Sequence, residues 1–287
     1  MTVGVIGAGA WGTALAIAAT RGGADVVLWS YDGEYMHFDD VVMPDNIRVT
    51  ANMAELRKCG GWLVVVPAAF FRETIRRARE FYNDAPVIIC TKGGESASGQ
   101  FMSEILRAEL PECREYGVLS GPQFAAEVAR SMPTGSTLAG TCAARAAGHA
   151  ALGMALCLSD SDDVIGAEIC GVGKNAVALI CGYATAMYGE NQRAMIFTHA
   201  WREVVNIGLA IGANIDTFFD LCGIGDLFLS ATSTTSRNFS AGMAIANGRP
   251  PVGTVEGIYA LDALIRRART HNVDVPVLME MHKKLKI

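Results

Sequence analysis

The chain has 287 residues, 51% of them hydrophobic and 18% charged, which is enough for one large domain or two ordinary ones and excludes disorder. A formal net charge of -5 argues against a nucleic-acid binder, which needs a basic face to displace counterions. It leaves a small molecule, anionic or not, as the expected partner.

The eight cysteines include no Cys-x-x-Cys pair and mostly lie in apolar stretches. That pattern fits buried thiols in a reducing cytosol better than zinc ligands or disulfides. The apolar N-terminus has no positive leading segment, and no segment offers roughly 20 uninterrupted apolar residues for a membrane span. The expected location is cytoplasmic.

In chain order, residues 2–6 predict a buried strand, 11–21 a helix stopped by Gly22-Gly23, and 25–29 a second strand. Further strands are predicted at 62–66, 86–90 and 117–119, with helices at about 70–81 and 100–110. Continuous Val/Ile/Leu strands alternating with helices predict a parallel sheet covered on both faces. Beyond about residue 160 the pattern turns helical, with segments at 174–188, 192–211, 240–246 and 255–270. The expected fold is therefore α/β: an N-terminal doubly wound, Rossmann-like domain over 1–160, then an all-α C-terminal domain over 161–287. Lys283, Lys284 and Lys286 form a short basic tail that reads as a solvated helix end.

Gly7-Ala8-Gly9-Ala10-Trp11-Gly12 lies between the first strand and the first helix. In a dinucleotide-binding turn the first glycine permits the tight bend and the second lets a pyrophosphate approach the backbone. The third allows close helix–strand packing, and the helix N-terminus offers free N–H groups to the phosphates. The second strand ends in Trp29-Ser30-Tyr31, with Asp32 a little beyond, so neither an acid for a ribose 2′-hydroxyl nor an arginine for a 2′-phosphate stands at the expected place. The choice between NAD and NADP stays open.

Ligands of open α/β sheets bind at the carboxyl ends of the strands, where Val66-Pro67, Thr91-Lys92-Gly93-Gly94 and Ser120-Gly121-Pro122-Gln123-Phe124-Ala125 fall. Lysines are few here, so Lys92, between a buried strand and two glycines, is a candidate ligand contact. Lys174, in Gly171-Val172-Gly173-Lys174-Asn175, is expected to open a helix that is apolar almost all round. It is either a snorkelling residue or a partly buried base whose pKa is lowered toward neutrality. Asp226, in Gly223-Ile224-Gly225-Asp226-Leu227, is either a turn or cap aspartate or a carboxylate that orients a catalytic lysine or a substrate hydroxyl. Ser236-Arg237-Asn238 is either a solvated loop or a phosphate clamp, since a guanidinium binds phosphate in bidentate fashion.

Together the strings GAGAWGTALA from Gly7, TKGGE from Thr91, LSGPQFAAEV from Leu119, DVIGAEICGVGKN from Asp163, GIGDL from Gly223, SRN from Ser236 and VEG from Val255 resemble the NAD(P)-dependent glycerol-3-phosphate dehydrogenases of bacterial type. The resemblance spans nearly the whole chain. It implies that Lys174 is the general acid/base at the C2 oxygen, that Lys92 contacts substrate and cofactor, and that Asp226 lies beside Lys174. It places Gly121 and Gln123 in the substrate site, with Ser236, Arg237 and Asn238 on the substrate phosphate. Gly7, Gly9, Ala10, Trp11, Gly12, Ala125, Arg237 and Glu256 would touch the cofactor, NAD or NADP. The family uses no metal, is often dimeric, and supplies the glycerophospholipid backbone from a phosphorylated triose or glycerol.

The sequence departs from the family where Gln123 replaces a serine, where His199 replaces an arginine, at Val172-Gly173, and in a shortened segment after the second strand. Two alternatives stand beside this reading: a related dehydrogenase of hydroxy or keto acids, and a non-catalytic dinucleotide-binding sensor.

Overall fold

The structure is a computed structural model describing residues 1–95, 98–253 and 255–285, so Lys286 of the basic tail lies outside the described residues. The chain divides into two compact units: Met1–Thr91 with Met102–Val164, and Lys92–Phe101 with Ile165–Ile287. The short excursion after Thr91 thus groups with the helices.

In the first unit, among the described residues, eight strands form one sheet in the order β3-β2-β1-β4-β5-β6-β7-β8. They are β1 (Thr2–Ile6), β2 (Asp25–Trp29), β3 (Ile47–Thr50), β4 (Gly61–Val64), β5 (Val87–Ile89), β6 (Tyr116–Ser120), β7 (Gly135–Gly140) and β8 (Cys157–Ser161). All neighbours pair in parallel except β6 and β7. The helices are α1 (Ala10–Thr20), α2 (Ala68–Ala78), α3 (Met102–Glu109), α4 (Ala125–Ala129) and α5 (Cys142–Leu152). From β1 the chain winds outward through β2 and β3, then returns to β4 on the other side of β1. The strand order reverses there, and open α/β sheets form their ligand crevice at such a reversal. The central strands are buried because they carry Val, Ile and Leu on both faces: Val3, Val5, Ile6 and Val64 have no exposed surface.

The second unit is built around α6 (Val164–Tyr188), flanked by α7 (Glu190–Ala210), α8 (Asp226–Thr232), α9 (Arg237–Ala246), α10 (Glu256–Thr270) and α11 (Pro276–Leu285). α6 is long and apolar enough to cross a membrane, yet most of its apolar stretch is buried within the protein. Its glycines set the packing distance. A Cβ on Gly173 would stand 2.4 Å from Cγ1 of Val204 on α7, and one on Gly182 would stand 1.9 Å from the carbonyl oxygen of Phe239 on α9. Helices can approach this closely only where the side chain is absent. Lys174 therefore sits in the middle of α6, a correction to the expectation that it opens the helix: the glycines before it are contact points, not breaks.

The structure adds β3, β7, β8, α4, α5, α8 and α11 to the elements expected from the sequence. All eight cysteines are free thiols, with only Cys142 and Cys157 exposed.

Candidate active site

The glycine turn of the first unit is shaped by backbone contact. Gly7 has φ +114°, a left-handed region that side chains disfavour, and its N–H donates to the Trp29 carbonyl at 2.9 Å. A Cβ on Gly12 would fall 1.8 Å from the Gly7 carbonyl oxygen, whereas one on Gly9 would meet nothing within 4 Å. Gly9 caps α1 without a side-chain hydrogen bond, so no N-cap side chain satisfies the first amides of that helix, which carry the positive end of its dipole. The indole Nε1 of Trp11 is buried and, among the described residues, has no hydrogen-bond partner. A turn with no side chain above Gly9, uncapped amides and an orphaned donor fits the pyrophosphate of a dinucleotide.

Also in the first unit, Gly121 follows β6 so closely packed that a Cβ there would lie 2.8 Å from Ser136 Cα. Both amide atoms of Gln123 are buried without a hydrogen-bond partner among the described residues, as are the hydroxyls of Ser120 and Ser136. Orphaned polar atoms of this kind cost about 1–3 kcal/mol each unless a ligand or water satisfies them. Ala125 begins α4 and, like Trp11, packs against the apolar cluster of this unit.

In the second unit three charges converge. Lys92 Nζ donates to Asp226 Oδ2 at 2.6 Å, and Lys174 Nζ lies 3.2 Å from Oδ1 of the same carboxylate. Lys174 also donates to Ser230 Oγ at 3.0 Å, and Ser230 donates in turn to Asp226 Oδ1 at 3.3 Å. Asp226 is 1% exposed; it opens α8, with Ser230 one turn later on the same face. Lys92 reaches the carboxylate from the 92–101 segment, which is pinned by a Gly94–Phe101 bridge and by Arg267, stacked 4.1 Å over the Phe101 ring.

Burial drives the Lys174 pKa below the ordinary lysine value, assisted by the Lys92 charge and opposed by Asp226 and, more weakly, Glu256. For Asp226 burial alone would raise the pKa, but Lys174 and Lys92 outweigh it and hold the carboxyl below its ordinary range. The cluster is thus one buried anion between two cations, with an excess positive charge and a lysine predisposed to release its proton.

The remaining candidates lie at helix starts of the same unit. Ser236 caps α9, accepting from the Phe239 N–H; Arg237 follows and is exposed. The buried Asn238 amide donates to Asn175 Oδ1 at 2.9 Å and accepts from the Gly257 N–H at 2.9 Å. Glu256 opens α10 and accepts from Asn175 at 3.4 Å. Sequence reasoning missed Ser230 and Asn175. The first was findable as a hydroxyl four residues after Asp226, and the second as the polar neighbour of Lys174.

A doubly wound sheet with a glycine turn at its reversal point, in a chain that also buries a lysine against a carboxylate, defines the class: a pyridine-nucleotide-linked dehydrogenase. The family profile described as the N-terminus of NAD-dependent glycerol-3-phosphate dehydrogenase matches residues 2–146, and its C-terminal counterpart matches residues 163–286. The chain belongs to this family. It is 39% identical to a curated glycerol-3-phosphate dehydrogenase (NAD(P)+) of Rhodospirillum rubrum, over 98% of this chain and 86% of that protein. It is 36% identical to the one from Parvibaculum lavamentivorans, over 96% and 89%. Among solved structures, the glycerol-3-phosphate dehydrogenase of Coxiella burnetii superimposes with a TM-score of 0.90 at 28% identity, covering 99% of this chain and 94% of that one.

Proposed function

We propose that this protein interconverts dihydroxyacetone phosphate and sn-glycerol 3-phosphate with NAD(H) or NADP(H), Lys174 exchanging the proton at the C2 oxygen. Family membership supports the reaction. The observation that carries the residue assignment is the Lys92–Asp226–Lys174 cluster. The first unit is the dinucleotide-binding domain and the helical unit the substrate and catalytic domain, with 1–160 and 161–287 as their approximate extents. Gly7, Gly9, Ala10, Trp11 and Gly12 hold the pyrophosphate side of the cofactor, with Ala125 nearby and Lys92, Arg237 and Glu256 also touching it. When bound, the nicotinamide supplies or accepts the hydride at C2.

In reduction the C2 oxygen gains negative charge as the carbonyl carbon accepts hydride. Lys174 gives that oxygen a proton; in oxidation its neutral amine takes the hydroxyl proton. The lowered pKa suits both directions, because a lysine with an ordinary pKa would seldom be neutral at working pH. Lys92 places a second positive charge where the alkoxide develops. Asp226 orients both ammonium groups and lets two cations share a buried space.

Ser236, Arg237 and Asn238 hold the substrate phosphate. The start of α9 offers helix N–H groups and Arg237 a planar fork, while the Asn238 amide holds the strand of contacts to Asn175 and Gly257 in place. Gly121 and Gln123 complete the substrate contacts, and the unpartnered Gln123 amide is suited to a substrate hydroxyl. A homodimer in the cytoplasm is the proposed working form, the free thiols supporting a reducing compartment.

A substrate panel tests the reaction. Turnover of glycerol 3-phosphate with either dinucleotide, and none of 2-hydroxy or 3-hydroxy acids, is the expected result. Turnover of a hydroxy acid alone would overturn it.

A further inference from the structure

β2 runs beside β1 with Trp29 opposite Ile6, and the Gly7 N–H donates to the Trp29 carbonyl. Ser30 and Tyr31 therefore leave the sheet immediately beside the glycine turn. When a pyrophosphate rests on such a turn, the adenosine ribose lies at the end of this second strand. The local charge there decides the cofactor: a carboxylate accepts from the 2′-hydroxyl and repels a 2′-phosphate, whereas an arginine does the reverse.

No carboxylate occurs at Trp29, Ser30 or Tyr31. Asp32 follows, but it is solvent-exposed and its Oδ1 accepts from the Glu34 N–H at 3.0 Å, closing a local turn. The cation comes from elsewhere in the same unit. Arg77, near the end of α2, places its guanidinium 5.2 Å from the Tyr31 ring centroid and 6.0 Å from that of Trp29. Its arginine neighbours are engaged: Arg72 and Arg76 pair with Glu109, and Arg79 with Glu112. Among the described residues no carboxylate pairs with Arg77. A guanidinium stacked on a ring keeps its N–H edge free, and that edge matches two phosphate oxygens. Tyr31 is itself 77% exposed, so the stacked pair faces solvent where a ligand could meet it.

We propose that Arg77, held on Tyr31 and Trp29, binds the 2′-phosphate of the adenosine ribose and makes NADP(H) the preferred cofactor. This rests on the dinucleotide reading of the Gly7 to Gly12 turn and extends it to a choice the strand end alone leaves open.

Calorimetric titration of the whole chain with NADP+, NAD+, adenosine 2′,5′-bisphosphate and 5′-AMP tests it without turnover. Wild type is expected to bind each 2′-phosphorylated ligand about tenfold more tightly than its counterpart, with the preference shrinking as salt rises. Arg77→Gln, an exposed position, should abolish the preference while NAD+ affinity stays within about twofold, and Arg77→Lys should retain part of it. Equal affinities in wild type, or a preference that survives Arg77→Gln, would overturn the proposal. Binding of neither dinucleotide would instead overturn the reading of the glycine turn, and this proposal with it.

Discussion

The glycine turn after β1 and the lysine–carboxylate cluster of the helical unit are both compact arrangements, but they are built in opposite ways. The turn uses six consecutive residues, and what selects them is backbone sterics: Gly7 for its φ of +114°, Gly12 because a Cβ would strike the Gly7 carbonyl oxygen. The cluster draws Lys92, Lys174, Asp226 and Ser230 from distant parts of the chain, and what selects them is charge in a buried space. Damage to the turn should therefore appear in folding and dinucleotide affinity. Damage to the cluster should appear in kcat and in its dependence on pH.

The sharpest division is expected from Lys174→Met, which removes the proposed proton donor and leaves an apolar stem of similar length. We expect kcat to fall about a thousandfold while dinucleotide affinity, read by titration, is unchanged. A comparable loss of dinucleotide affinity would erase the distinction between the two regions. Asp226→Asn should come next, because it leaves two partly buried lysines without their anion. Stability should fall by about 3 kcal/mol in urea denaturation and kcat by about a hundredfold. An unchanged denaturation midpoint would mean that the carboxylate does not hold the cluster together.

On the other side of the comparison, Gly12→Ala should cost about 2 kcal/mol of stability through overpacking and lose dinucleotide binding as well. Gly9→Ala, whose Cβ enters open space, should keep its stability and lose affinity alone. If both variants behaved alike, the steric account of the turn would fail. The smallest effect belongs to Ser230→Ala, which removes one hydrogen bond to Lys174 and one to Asp226. A cost of about 1 kcal/mol and a few-fold change in kcat are expected, and a loss as large as that of Lys174→Met would require a direct role for the hydroxyl.

The same contrast explains what the sequence disclosed. β1, α1 and β2 were legible to the residue or nearly so, because continuous apolar runs and paired glycines punctuate them locally. β7 and β8 were not: Gly135–Gly140 is small and polar, and Cys157–Ser161 is an edge strand with polar residues along its length. The start of α6 was misplaced because Gly171 and Gly173 look like helix breakers. The structure shows that Gly173 instead lets α7 approach. Lys92, Lys174 and Asp226 could each be singled out as unusual charges in apolar or glycine-rich surroundings. Local sequence left the roles of Lys174 and Asp226 ambiguous, because their pairing depends on tertiary approach. Arg77 was invisible for the same reason: nothing near Tyr31 in sequence announces it.

The central claim is that Lys174 carries the proton, and pH profiles of kcat in both directions test it most directly. Glycerol 3-phosphate oxidation needs the neutral amine, so its rate should rise with pH through the Lys174 pKa. Dihydroxyacetone phosphate reduction needs the ammonium, so its rate should fall through the same region. Because burial lowers that pKa, both transitions should lie below the ordinary lysine value of about 10.4, and both should vanish from the residual activity of Lys174→Met. Profiles that keep the same transitions in that variant would contradict the account.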